Sequence, residues 1–190
     1  MLLLFLLNAL LCSAQQNVAD SLLNVLKISK EDTVKVNALN ELFLQYEFSD
    51  DKKAKEYLDA AFELSNKSNF KKGLATTHIY FGYFSEDKGD YPNAISHYQT
   101  ALKLFIVLLN KEGILKAYNN IGNVYFLQSK FKLALANYNE CLKIGIEIGN
   151  KKGILNAYNN IGLVWLNRGE YSKALPNFLA SLKYSIAIDD

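Results

Sequence analysis

Apolar residues recur along most of this chain at the three-and-four spacing of a helix face, in blocks separated by short polar turns. Leu155, Tyr158, Ile161, Gly162 and Trp165 fall on one side of such a helix. After Asn167-Arg168-Gly169 the same spacing resumes with Tyr171, Ala174, Leu175, Phe178, Ser181 and Leu182. Two helices joined by so short a turn pack antiparallel. Gly162 and Ala174 lack bulk, which predicts a close approach of the two backbones with aromatic side chains filling the space beside them.

The pattern repeats. Residues 111–150 and 151–190 align without a gap and share 18 of 40 positions. Moving the register back by the same interval sets Lys71-Lys72-Gly73 over Lys111-Glu112-Gly113 and Lys151-Lys152-Gly153. A fourth, degenerate copy spans 32–70, with Ala54, Leu58 and Ala61 in register with Ala94, Tyr98 and Ala101, and Phe43 where the other copies have glycine. Its first half fits only with a turn one residue shorter. A fixed period of roughly 20–50 residues marks one supersecondary unit that buries its apolar face by stacking on its neighbours. Gly73, Gly113 and Gly153 stand at the joins, where free backbone angles are useful. Residues 15–31 read as a leading helix that caps the first unit.

The order aromatic, Ile-Gly, aromatic, Ala, aromatic, small is carried by Tyr158, Ile161-Gly162, Trp165, Ala174, Phe178 and Ser181. It resembles the tetratricopeptide repeat (TPR). The resemblance covers 32–190, as units 32–70, 71–110, 111–150 and 151–190. It implies an all-α fold, a right-handed α-solenoid of antiparallel helix pairs wound into a TPR-like superhelix. The usual unit has about 34 residues, so these helices are expected to be about a turn longer. That lengthened form is similar to the exported sensor arrays of bacterial signalling proteins and of peptide-responsive regulators.

By the same resemblance a concave face is lined by the first helix of each unit, here Asn37, Asn40, Leu44, Thr76, Ile79, Tyr83, Lys116, Asn119, Asn123, Asn156, Asn159 and Leu163. Asparagine dominates that set. Its amide offers both a donor and an acceptor, which suits an extended peptide backbone of any sequence. In peptide-binding members of the family, asparagines at the positions of Asn123 and Asn160 hold the main chain of the ligand. The groove residues expected on this basis are Asn119, Asn123, Asn159, Asn160, Tyr83 and Lys116. The other reading of the Asn-Asn pairs is structural: they bridge adjacent helices. Lysines suited to an acidic C-terminus are largely missing from this face.

The first 14 residues, MLLLFLLNALLCSA, differ from everything after them. An apolar run ending in Cys12-Ser13-Ala14 has the shape of a secretory signal cleaved after Ala14. It is short of the roughly 20 apolar residues that span a bilayer. An uncleaved anchor and a lipoprotein on Cys12 are the alternatives, and no Lys or Arg precedes the run. Export to the periplasm or cell surface follows, with no membrane span apart from this segment.

Composition and charge then narrow the chemistry. Half of the 190 residues are apolar, enough for a continuous core. Twenty-one Lys and Arg against 19 Asp and Glu leave a net +2, without a basic stripe, so no nucleic-acid partner is expected. No phosphate loop, metal-ligand cluster or nucleophile triad occurs, so neither cofactor nor enzymatic activity is expected. His78 occupies the slot of Tyr118 and Tyr158 and reads as a packed substitute for tyrosine. Cys141, at a position otherwise held by Ala61, Ala101 and Ser181, reads as a small core residue.

Phe105, Val107 and Leu109 replace Gly145, Glu147 and Gly149 of the following unit. They form either a partner patch or deeper packing. Pro176 lies inside the last helix and removes a backbone donor. That helix ends on the repeat boundary with Leu175, Leu179, Leu182 and Ile186 still apolar, so the sequence reads as a fragment or as an array whose uncapped C-terminal end self-associates or meets a partner. The expected function is a non-catalytic protein- or peptide-binding module, the exported sensing region of a bacterial signalling protein. The alternative is a free-standing periplasmic or surface scaffold.

Overall fold

The computed structural model describes residues 17–189. The leader expected over 1–14, with its cleavage point, lies outside the described residues. The chain divides into two compact units, one reaching Phe84 and the other beginning at Ser85. Among the described residues all regular structure is helical.

The first unit contains α1 (residues 17–28), α2 (Asp32–Tyr46), α3 (Asp51–Lys67) and most of α4 (Lys71–Asp87), whose last three residues belong to the second unit. The second unit continues with α5 (Tyr91–Val107), α6 (Lys111–Leu127), α7 (Phe131–Ile148), α8 (Lys151–Asn167) and α9 (Tyr171–Asp189). Within it α6 pairs with α7 and α8 with α9, while α5 packs on α6 and α7 on α8. In the first unit α2 pairs with α3, and the second unit is a stack of antiparallel helix pairs, the architecture of a TPR-like α-solenoid.

One device starts many of these helices. Asp50, Asp90, Asn110 and Asn150 each accept a hydrogen bond from the backbone N–H three residues on, at 3.0, 3.3, 2.9 and 2.8 Å. Such caps satisfy donors that the helix itself leaves open, and each contributes about 1 kcal/mol. Another device ends them. Asn69, Gly89, Leu109, Ser129, Gly149 and Gly169 all take positive φ, between 53° and 72°. The residue after each one donates its N–H back to the carbonyl five residues earlier, as Asp90 does to Ser85 at 2.8 Å and Asn150 to Gly145 at 2.9 Å. This is the left-handed helix stop that returns the chain antiparallel.

Small residues then set the distances. A Cβ built on Gly122 would lie 2.6 Å from Cε1 of Tyr138, and one on Gly162 2.7 Å from Cε1 of Phe178. The aromatic ring of the second helix therefore sits in the space the glycine vacates, rather than beside it. Gly73, Gly113 and Gly153 are used differently from the expectation. They are helical residues without positive φ, and a Cβ on Gly113 would lie 2.3 Å from Cδ1 of Phe105. Space, not backbone freedom, requires glycine there.

In the first unit Val36, Leu42, Phe43 and Leu58 are fully buried, Phe43 meets Tyr80 at 5.4 Å, and His78 packs edge-on to Phe62 at 5.7 Å. Asn40 and Ile79, expected on an open face, are core residues, and the carbonyl of Asn40 accepts the hydroxyl of Thr77 at 3.0 Å. In the second unit Ala134, Tyr138, Ile161 and Val164 form a core between consecutive helix pairs, flanked by Phe126, Phe131, Leu142 and Trp165. Cys141 is buried, with its thiol on the carbonyl of Leu115 at 3.2 Å, and Ser181 repeats that bond to Leu155 at 3.1 Å. On α9, Leu175, Leu179, Leu182 and Ile186 are all more than half exposed.

Candidate functional site

The second unit carries a pocket of about 290 Å³ lined by Glu86, Asn123, Phe126, Leu127, Tyr138, Asn160 and Leu163. Four helices contribute: the end of α4, one face of α6, the middle of α7 and one face of α8. The 40-residue register puts Asn123 and Leu163 at the same place in successive units, so side chains three residues apart on α6 and on α8 converge on one concavity.

Hydrogen bonds fix the orientation of both asparagines. The hydroxyl of Tyr138 donates to Oδ1 of Asn123 at 2.9 Å. Burial holds that phenol well above its ordinary pKa, with Cys141 and Glu86 adding to the effect, so the hydroxyl keeps its proton and must find an acceptor. Asn123 therefore gives it the carbonyl oxygen and keeps its amide N–H groups uncommitted. On α8, Nδ2 of Asn160 donates to Oδ1 of Asn119 at 3.0 Å. That leaves the Asn160 carbonyl without a donor among the described residues. One pocket thus presents an amide donor from α6 and an amide acceptor from α8.

Glu86, from the end of α4, lines the same pocket. The hydroxyl of Tyr98 donates to its Oε2 at 2.7 Å. Burial raises its pKa, and the Tyr98 hydrogen bond opposes that rise.

The expected groove residues divide. Asn123 and Asn160 meet in the pocket, and Asn119 orients Asn160 from outside it. Asn159 and Lys116 are half-buried and do not line it. Tyr83 belongs to the first unit, 5.8 Å from the ring of Tyr80. The patch expected at Phe105, Val107 and Leu109 needs correction. Phe105 is buried against Gly113, whereas Val107 and Leu109 are 69% and 84% exposed. Phe105 points inward because Gly113 leaves a seat for its ring.

Glu86, Tyr138, Phe126 and Leu127 were not singled out from the sequence. Tyr138 was readable as the aromatic of a second helix, though not as the anchor of Asn123. Glu86 holds the position of Phe126 and Leu166. A carboxylate in an apolar slot was the available signal.

Among the described residues no group of three or more His, Cys, Asp or Glu could hold a metal ion, and no helix is long and apolar enough to cross a membrane. What the pocket offers is hydrogen bonding, apolar contact and one carboxylate.

This arrangement of paired helices, with a pocket on the first-helix face, is that of a helical-repeat binding module. The family model for tetratricopeptide repeats matches residues 73–147 and again 113–187, and the chain belongs to that family. Folds of this kind are in general binding scaffolds rather than catalysts. No curated protein sequence matches the chain. Among solved structures it is similar to BtubC (BKLC) from P. vanneervenii, with a TM-score of 0.75 and 17% identity over 93% of this chain and 74% of that one. It is similar to aspartyl phosphate phosphatase F from Bacillus subtilis, with a TM-score of 0.80 and 20% identity over 87% of this chain and 44% of that one. It is also similar to a Rap protein complexed with competence and sporulation factor, with a TM-score of 0.82 and 17% identity over 93% of this chain and 52% of that one. At these identities the likeness is one of fold, and the chain spans about half the length of the last two.

Proposed function

We propose that the second unit binds an extended peptide segment across α6 and α8. The observation that carries this is the pair of oriented amides in one pocket. A peptide unit has one C=O and one N–H, and Asn123 offers the donor for the first while Asn160 offers the acceptor for the second. Phe126, Leu127 and Leu163 add an apolar wall for a side chain. The complex of the Rap protein with competence and sporulation factor supports the reading by analogy of fold.

A pair of variants tests it on the full chain. Asn160→Ala removes both the bridge to Asn119 and the pocket acceptor, whereas Asn119→Ala removes only the bridge. Peptide affinity, read by chemical-shift titration with blocked random pentapeptides, falls about tenfold for Asn160→Ala and less than threefold for Asn119→Ala, a difference of one neutral hydrogen bond. Equal losses would return both asparagines to a purely structural role.

The wider setting follows from the leader and the repeat type. The chain serves as the exported sensing or interaction region of a bacterial signalling protein and performs no catalysis itself. Fractionation of cells expressing the full chain tests the first part: recovery outside the cytoplasm supports it, and recovery wholly in the cytoplasm contradicts it. The second reading, a scaffold without signalling output, is favoured by the exposed leucine stripe of α9, which suits lasting contact with a partner or a second copy.

A further inference from the structure

Glu86 brings a charge into a pocket whose other walls are neutral. Its position in the repeat is otherwise apolar, so a carboxylate stands where Phe126 stands one unit later. It is half-buried, lines the pocket, and has one oxygen held by the hydroxyl of Tyr98 at 2.7 Å. No described cation pairs with it, and Lys88, two residues on, reaches Asp87 at 3.0 Å instead. A partly buried carboxylate without a counter-ion is costly, and a cation supplied from outside relieves that cost. A single carboxylate is too few ligands for a metal ion, which takes several oxygens at once. An organic cation needs only one such partner and an apolar channel for its stem. Phe126, Leu127 and Leu163 supply that channel beside Asn123 and Asn160. The volume of about 290 Å³ admits one long side chain and the backbone next to it.

We propose that this pocket takes a lysine or arginine side chain of the bound peptide, with its charged head on Glu86 and its own peptide unit on Asn123 and Asn160. The proposal rests on the peptide-binding reading and adds to it the charge class of the ligand. Tyr98 acts as a positioning residue that aims the carboxylate.

The test is a titration of the full chain with acetylated, amidated pentapeptides whose central residue is fixed and whose other positions are randomised over Ala, Ser, Leu and Phe. The central residue is Lys, Arg, norleucine, citrulline or Glu. Lys and Arg pools bind at least about tenfold tighter than their neutral isosteres, the effect of one charge-assisted hydrogen bond in a partly buried site. Glu86→Gln, which keeps an acceptor for Tyr98, reduces that preference to less than about twofold. Glu86→Lys, checked for unaltered helicity, shifts the preference to the Glu pool. Equal binding of charged and neutral pools overturns the proposal but leaves the peptide-binding reading intact. A preference that survives Glu86→Gln places the cation elsewhere and also overturns it. Binding of N-acetyl-lysine amide as tight as that of the Lys pool assigns the pocket to a small amine instead of a peptide. The absence of saturable binding by any pool at millimolar concentration overturns both.

Discussion

The glycine that most tightly couples the fold to the pocket is Gly122, and replacing it with alanine should be more damaging than the same change at Gly162. In a helix interior alanine is ordinarily favoured over glycine by about 1 kcal/mol. Here the added Cβ would lie 2.6 Å from Cε1 and 2.8 Å from Cδ1 of Tyr138. Overpacking of that kind costs roughly 1–3 kcal/mol. Tyr138 is 2% exposed and its hydroxyl is tied to Asn123, so the ring cannot swing aside without giving up a buried hydrogen bond, a further cost of about 1–3 kcal/mol. The net loss for Gly122→Ala is roughly 1–5 kcal/mol once the helix propensity is credited. At Gly162 the new Cβ would lie 2.7 Å from Cε1 of Phe178. That ring is half-buried and has no hydroxyl to hold it. It can yield, and the net loss there is about 0–2 kcal/mol once the helix propensity is credited. Thermal unfolding followed by circular dichroism compares the two: a Tm loss of about 3–15 °C for Gly122→Ala against about 0–6 °C for Gly162→Ala, the former the larger. A larger side chain enlarges the effect, so Gly162→Leu should unfold the last helix pair. Equal stability of Gly122→Ala and the parent chain would refute the argument that the ring occupies the space of the missing Cβ.

Other consequences can be checked in the same assays. Leu109 has φ +53° and is 84% exposed, so Leu109→Gly relieves a left-handed conformation and stabilises the chain by roughly 0.5–1 kcal/mol in urea unfolding, where a loss would contradict the turn geometry. The thiol of Cys141 is pushed by burial up to about 12 from the 9.0 of a free thiol. The folded chain therefore retains a proton that the unfolded chain has released, and stability present below pH 9 is lost as the pH rises toward 12, by on the order of 4 kcal/mol at most. Cys141→Ser keeps the bond to the Leu115 carbonyl, as Ser181 does with Leu155, and should flatten that alkaline decline; an unchanged decline assigns it to other groups. Pro176 lies inside α9 and is exposed, so Pro176→Ala restores a backbone donor and raises stability by up to about 3 kcal/mol, and a neutral result would mean that the helix has already adjusted.

The class of fold was legible because its signals are local and repeated. Apolar spacing gives helices, and the short turns give antiparallel pairs. What the sequence withheld is what depends on which side chains meet. Gly113 reads as a flexible joint, yet it is a seat for Phe105, and the difference depends on a ring eight residues earlier. Asn40 reads like the groove asparagines, yet Thr77 draws it into the core. The pocket was half visible. Asn123 and Asn160 were picked out by residue type and resemblance, whereas Tyr138 as the anchor of Asn123 required knowing that its hydroxyl crosses from α7 to α6. Glu86 belongs to one unit only, so periodicity, which reveals what repeats, passes over it.

In the proposed binding mode Asn123 and Asn160 present their amides to a peptide, and their side-chain N–H resonances report on that directly. The measurement is a ¹H–¹⁵N titration of the full chain with the blocked pentapeptide pool carrying a central lysine. Shifts that saturate at Asn123 and Asn160, while Asn137 and Asn167, bonded to carbonyls of their own helices at 2.8 and 2.9 Å, stay in place, are the predicted result. Unmoved resonances at Asn123 and Asn160, or equal shifts at all four, would contradict it.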